Sequence, residues 1–528
     1  MQLKADFSCY SIQAFLLACA LLPSTLVAAS GCADPTPQVD LSGAIVADCS
    51  ASGLRTALSA GGTVRLSGCS MPILISPPIV INANVVFDGG GATLSGGGNN
   101  GIFVVQPLRQ VHMQNLTLRD GVDDSGGFTP GGGAIRGAQF GYLTLVDMNF
   151  FNNRSSGMGG EDGGGAVLKD EGGKLTVFNS VFRDNLATNG GAIKALLSNT
   201  QIVDSSFIDN TARGGNNGGG AIFLDGLVTR VLPGYAPVGA TVDGYGKGRF
   251  CGLLFSGNVV GNTLDFNTTG RQGGGLFTHT YPVTGNSTRI EIERSVFIGN
   301  RAAQDGGGLR IGTSDAGGNG GSALMSHLLL RDNRAGNHGG AIRLSDANAS
   351  LENTTLVGNC AGDLAATCTS ATDSGGGLGG AVAVFDRAYQ AQRISVMRNR
   401  AAGFSGGLST RPESSLSRSL IAYNNVGNSF GTTRNCGAPA LLDGAFSFEW
   451  PAPQGNVFEP GCGVANISDP ALAQTPTSCG ENAGAASAST PLQVYLPGVV
   501  VPRVAGVPTA GAICPDQLDT LLRNGFEP

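Results

Sequence analysis

The chain has 528 residues, of which 85 are glycine and only 13% are charged, and its formal net charge is −6. So much glycine excludes an ordinary helical protein, and a mean hydropathy of +0.09 excludes a disordered one. Basic runs are absent, so the charge pattern offers no footing for nucleic acid.

Residues 14–22, AFLLACALL, are an apolar run too short to span a bilayer, followed after Pro23 by the small-residue pattern Val27-Ala28-Ala29. This reads as a signal peptide, residues 1–29, cut near Ala29. Its removal leaves the net charge unchanged, because Lys4 and Asp6 cancel. Ala29-Ser30-Gly31-Cys32 also resembles a bacterial lipobox, with Ala29 where Leu is usual, so lipidation of Cys32 is the alternative. No later stretch approaches the roughly 18 uninterrupted apolar residues of a membrane helix. The expectation is a secreted or outer-surface protein with no transmembrane segment.

Cys9 and Cys19 leave with the signal, and ten of the twelve cysteines remain, an even set suited to an oxidising compartment. Local spacing pairs Cys360 with Cys368, Cys436 with Cys462 and Cys479 with Cys514, and Cys49 with either Cys32 or Cys69. One N-terminal cysteine and Cys251 are then left over. A bridge between distant parts of the chain, or lipidation of Cys32, resolves them.

Residues 30–110 open with a short amphipathic segment, Ser52 to Ala60, that predicts a helix, followed by GGTVRLSG and VVFDGGGATLSG. A Gly-Gly-small-apolar unit then recurs as GGAI at 132, GGAV at 164, GGAI at 190 and 219, GGLF at 274, GGLR at 307, GGAI at 339, GGAV at 379 and GGL at 406. Most intervals are near 30 residues; the interval of 55 after Gly219 is two units or one with a long insertion. A second column, apolar-x-x-Asn, keeps phase with the first: Asn153, Asn185, Asn210, Asn267, Asn300, Asn333, Asn359, Asn399 and Asn424.

Segments such as Lys174-Leu-Thr-Val-Phe alternate apolar and polar with period two, and no unit carries a helical stripe. Each unit therefore holds about three short strands joined by Gly, Asn, Ser or Asp turns. One unit cannot bury its own apolar face, but stacked copies pair each strand with its equivalent at roughly 4.8 Å and bury Phe182, Phe207 and Phe297 in an internal column. The turn asparagines are expected to bond amide to amide from coil to coil, and to take left-handed backbone. The predicted fold is all-β, a right-handed parallel β-helix, with the N-terminal helix covering its open end and repeats over residues 111–430.

Over residues 130–425 the chain resembles right-handed parallel β-helix repeat proteins of bacterial surfaces and secretomes, on the form GGAI…F-x-x-N-x-A. The Cys-containing region 431–515, with NCG, GNVF, CGV, DPAL and CPDQ, is similar to the C-terminal region of choice-of-anchor β-helix proteins. The tail 516–528, ending LLRNGFEP, is similar to GFE-type tails of secreted gammaproteobacterial proteins. Regularity without catalytic signatures suits a structural, adhesive or binding role, with a polysaccharide or cell-surface partner. Its alternative is a polysaccharide lyase or hydrolase working in a groove along the helix. The polygalacturonase series Asn-Thr-Asp, Asp-Asp, Gly-His-Gly, Arg-Ile-Lys is absent.

Two groups of candidate residues follow. Arg331, Asp332, His338 and Arg343 place a carboxylate near cations, a set able to act as acid and base or to hold calcium against a uronate. Asp332 shares a column with Asp184 and Asp209, and Arg343 with Lys194 and Arg136; solvated turn residues are the plain alternative. An insertion at 225–250 carries Tyr235, Tyr245, Lys247, Arg249 and Phe250, an aromatic and basic mixture able to stack on sugar rings. A second insertion spans 360–378. The four histidines, at 112, 279, 327 and 338, have no zinc spacing, and no cofactor is expected.

Overall fold

A computed structural model describes residues 32–466, except 124–130, 158–161, 215–217, 228–245, 262–270, 281–288, 314–320, 364–367, 369–376, 412, 428–433, 438–440, 443–446, 451–460 and 464, together with 495–496 and 499–500. The coil of residues 190–212 shows how a unit is built. Ile193–Leu196 forms one strand, Asn199–Val203 and Ser206–Ile208 two more, and Thr211–Ala212 a fourth. Each pairs in parallel with its equivalents in the flanking coils, Ile193 with Val167 and Ile222, and Phe207 with Phe182 and Phe255. Repetition of this unit makes a parallel β-helix. Its first sheet, of 26 strands, collects the two middle strands of every coil; the second sheet, of ten, collects the Gly-Gly strands; the third, also of ten, collects the two-residue strands.

The interior is a set of columns. Phe150, Phe182, Phe207, Phe255 and Phe297 stack with centroids 4.5–5.0 Å apart, and the column continues in register through Leu330, Leu356, Val396 and Ile421. Beside it runs a buried asparagine ladder. Asn300 Oδ1 accepts from the backbone N–H of Asn258 at 3.1 Å and from its Nδ2 at 2.9 Å, while Asn300 Nδ2 donates to Phe255 O at 3.0 Å and to Asn333 Oδ1 at 2.9 Å. The same pattern links Asn153, Asn185, Asn210, Asn258, Asn333, Asn359, Asn399 and Asn424. Two corrections follow. Asn258, not Asn267, fills the fourth rung, and Asn267 lies outside the described residues. The left-handed residue is the one before the asparagine: Asp184, Asp209 and Asp332 have φ of 56°, 53° and 54°.

The interval after Gly219 is one coil carrying insertions, since Ile222 pairs directly with Leu276. Register also shifts the GGL units by one residue. Leu276, Leu309 and Leu408 stand where isoleucine or valine closes GGAI and GGAV, so the left-handed corner falls on Gly273, Gly306 and Ser405. These corners need glycine where coils touch: a Cβ on Gly191 would meet Gly220 O at 2.3 Å.

The N-terminal end is covered. Helix α1, Ala51–Ala60, starts where Ser50 Oγ accepts from Gly53 N–H at 3.0 Å and buries Leu54, Ala57 and Leu58 over the first coils. At the other end the ladder does not stop at residue 430. Asn424 Nδ2 donates to Asn435 Oδ1, Asn435 Nδ2 to Glu449 Oε1, and Glu449 Oε2 accepts from Cys462 N–H at 2.8 Å. Strands Phe448–Trp450 and Ala465–Asn466 extend the first sheet beside the Cys436–Cys462 disulfide.

Cys49–Cys69 and Cys360–Cys368 form as spacing allowed, whereas Cys32 bridges 219 residues to Cys251. That bridge uses both leftover cysteines and occupies the Cys32 thiol that lipidation requires. Cys479 and Cys514 lie outside the described residues. Among the described residues no helix is long and apolar enough to cross a membrane.

One core position is out of character. Lys169 shares its register column with core residue Ala195, so its side chain starts inside the solenoid, and it is fully buried. Its Nζ donates to Asp170 O at 2.8 Å, to Gly172 O and, at 3.5 Å, to Ser198 Oγ. Burial pushes its pKa down to about 7, against the pull of Asp170 and Glu171. Between that value and the ordinary lysine range the unfolded chain holds a proton that the folded chain lacks, so stability rises with pH. The slope is at most about 1.4 kcal/mol per pH unit. Urea unfolding at pH 7, 8 and 9 should show the native protein gaining on Lys169→Met by about 1 kcal/mol per unit; parallel curves would contradict the assignment.

Candidate functional site

Along each Gly-Gly strand the residues on either side of an outward position belong to the core, so the residue between them faces away from it. Ile193 and Ala195 flank Lys194, Ile222 and Leu224 flank Phe223, and Leu309 and Ile311 flank Arg310. Parallel register lines these outward residues into one row: Arg136, Leu168, Lys194, Phe223, Phe277, Arg310 and Arg343. The Arg136, Lys194 and Arg343 column expected from the sequence is this row. Its rungs are one coil apart, roughly 4.8 Å.

Two stacked rings occupy the middle, Phe223 and Phe277 with centroids 5.2 Å apart, and a cation lies over each from the neighbouring rung. Lys194 Nζ is 5.4 Å from the Phe223 centroid and the Arg310 guanidinium 5.3 Å from that of Phe277. Arg343 caps Phe385 at 3.6 Å. Carboxylates flank the row: Asp123 Oδ2 is 3.3 Å from Arg136, Asp225 Oδ2 4.0 Å from Lys194 and Asp305 Oδ2 3.7 Å from Arg343 Nε.

The distal end, from Gln272 to Asp386, carries the densest chemistry. Gln272, Asp305 and His338 occupy successive coils just before the Gly-Gly corners. Asp305 Oδ1 accepts from the His338 backbone N–H at 3.1 Å, and His338 Nδ1 accepts from Leu378 N–H at 3.2 Å, which leaves the neutral ring's proton on Nε2. Burial and the neighbouring Arg343 hold the His338 pKa below its usual range, with Asp305 opposing. Arg310 Nε donates to Gln272 Oε1 at 2.6 Å and Arg343 Nη1 to Leu344 O. Burial lowers both guanidinium pKa values, that of Arg343 to about 10, with Asp305, Asp346 and Asp386 opposing. Arg310 Nη1 and Arg343 Nε nevertheless have no hydrogen-bond partner, although both atoms are buried.

The sequence grouping of four splits in two. His338 and Arg343 belong to this cluster, whereas Arg331 and Asp332 form their own ion pair at 2.9 Å on the corner between the first and third sheets. Asp332 is there as a left-handed turn residue. The insertion grouping divides as well. Tyr235 and Tyr245 lie outside the described residues. Lys247, Arg249 and Phe250 belong to a first-sheet strand, Lys247–Cys251, and Phe250 points into the core with no exposure, so its ring is unavailable to a ligand. Arg249 is held by Asp34 at 3.0 Å and Glu293 at 2.9 Å.

Phe277, Arg310 and Asp305 were not singled out from sequence, for a definite reason. Reading GGLF and GGLR in the phase of GGAI puts Phe277 and Arg310 at the apolar fourth place, and a one-residue slip exchanges the core and solvent faces of a strand. The buried Leu276 and Leu309 carry the correct phase. Among the described residues no three His, Cys, Asp or Glu side chains are grouped to hold a metal ion. Comparison with known protein families, with curated proteins and with solved structures finds no match for this chain.

Proposed function

We propose that the protein is a secreted or cell-surface binding protein that holds an extended acidic polysaccharide along the outer face of the second sheet. The observation that carries this reading is the outward row that lines up the cations Arg136, Lys194, Arg310 and Arg343 with the stacked rings of Phe223 and Phe277, in register along the solenoid. A repeating polymer suits a site whose rungs repeat along an axis, and its carboxylates or sulfates match the charge of the row. The four disulfides among the described residues and the N-terminal signal pattern support an oxidising, extracellular setting. The C-terminal resemblance to choice-of-anchor proteins supports attachment at the cell surface.

One observation favours a second reading, a polysaccharide lyase or hydrolase. Asp305, a neutral His338 and Arg343 converge at the distal end, and a carboxylate, an imidazole and a guanidinium are the groups that proton abstraction beside a uronate requires. A panel of acidic and neutral polysaccharides separates the two. Incubation with the intact protein should give retention of acidic polymers with no new reducing ends and no unsaturated products. Product formation would replace the binding reading with the enzymatic one, and retention of neutral polymers alone would remove the acidic ligand.

A further inference from the structure

The first sheet carries a second feature, independent of the ligand row. Cys32 is tied to Cys251, while the first strand of the first sheet begins only at Ile45. Between the strand of Cys251 and that first strand lie seven successive pairings, spanning roughly 34 Å at 4.8 Å each. The thirteen residue steps from 32 to 45 reach at most roughly 45 Å. The arm therefore runs largely extended along the outer face of the first sheet, parallel to the solenoid axis, and ends in a turn where Ala44 N–H donates to Leu41 O at 3.2 Å. Asp34 fixes its start, accepting from Gln201 Nε2 at 2.9 Å and from Arg249 Nη2 at 3.0 Å, on adjacent strands.

The surface beneath changes character along the axis. One outward row of the first sheet reads Asp88, Gln114, Val146, Phe178, Val203, Cys251, Glu293, Ser326, Glu352 and Gln392 in register. It is apolar only over the three rungs before Cys251. There Val146, Phe178 and Val203 form a buried cluster outside the main core, and Cys32 packs on it. Three such side chains offer on the order of 300 Å². A stable complex between two proteins needs roughly 800 Å² per partner. The strip is too small to hold another molecule, but an arm tethered by a covalent bond needs no intrinsic affinity.

We propose that residues 32–44 are a disulfide-latched cover for the strip Val146–Phe178–Val203, open while Cys32 and Cys251 are thiols and closed once they are oxidised. Closure joins the two Sγ atoms and passes their two protons and two electrons to a disulfide-bearing oxidant, whose S–S bond breaks to give a dithiol. Docking of the arm thus depends on reaching an oxidising compartment.

The test uses the full mature chain and compares it with Cys32→Ser, which leaves the other disulfides intact. Two rates are read: chymotrypsin cleavage within residues 33–44, by mass spectrometry after reduction, and binding of a hydrophobic fluorescent probe. The variant should be cut at least tenfold faster and should gain probe fluorescence, with its circular dichroism unchanged. Equal cleavage and equal fluorescence would overturn the latch. Val203→Asn, with the disulfide intact, keeps the question open to refutation if Cys32→Ser misfolds. It should speed cleavage severalfold, and an unchanged rate would show that the strip is not what the arm covers.

Discussion

Replacing Asn300 by Ala is expected to cost about 4 kcal/mol of unfolding free energy, among the largest effects of any single substitution in the solenoid. The side chain makes four hydrogen bonds in a place water does not reach. Its loss leaves the Asn258 N–H unmet, removes the side-chain donor to Phe255 O, and takes one of two bonds each from Asn258 Nδ2, which keeps Phe207 O, and from Asn333 Oδ1, which keeps the N–H of residue 300. Leaving a buried donor or acceptor unmet costs about 1–3 kcal/mol, and partial relaxation of Asn258 and Asn333 along the ladder reduces the sum. Because coils are stabilised through their neighbours, the damage should spread to the adjacent rungs. Chemical denaturation and amide exchange check this: exchange at Asn258 and Asn333 should accelerate with that at residue 300. An effect below 1 kcal/mol, no larger than that of Lys247→Ala on the exposed strand start, would mean that the ladder is decoration.

Architecture was legible because stacking demands periodicity. The phenylalanine and asparagine columns recur in sequence since each rung bonds to its equivalent, so Phe182, Phe207 and Asn300 could be placed before any coordinates. The fourth rung was misplaced because two insertions share its coil, and Leu264-Asp-Phe-Asn267 matches the pattern as well as Phe255-Ser-Gly-Asn258 does. A second ladder went unread although its signal is present. A hydroxyl five residues before the ladder asparagine, as in Ser180, Ser205 and Ser295, accepts a backbone N–H from the preceding coil.

The site was legible only in part. His338 and Arg343 were found through their column, but the phase slip at the GGL units hid Arg310 and Phe277, and with them the row itself. Arg331 and Asp332 were grouped with them by nearness in sequence, which a coil with several corners does not convert into nearness in space. The Cys32–Cys251 bridge could not be read from local spacing at all. It depends on an extended arm crossing seven strand pairings, and nothing in residues 33–44 announces that path. Phe250 shows the converse error: an aromatic beside an insertion looked available for stacking, yet it belongs to the period-two pattern of the strand that follows.

In the proposed function the second-sheet row binds acidic polymer through Arg310 and Arg343, and a paired titration decides it. An acidic oligosaccharide identified by the polysaccharide panel is titrated by calorimetry into the native protein and into Arg310→Ala with Arg343→Ala, at two salt concentrations. Each guanidinium stands to form charge-assisted hydrogen bonds worth about 1.5–3 kcal/mol. Removing both should therefore weaken binding at least 100-fold, with about 1.4 kcal/mol for each factor of ten. Native affinity should fall as salt rises, and the residual affinity of the double variant should fall less steeply. A double variant that keeps its circular dichroism and binds the oligosaccharide as tightly as the native protein would contradict the assignment of this face as the binding site.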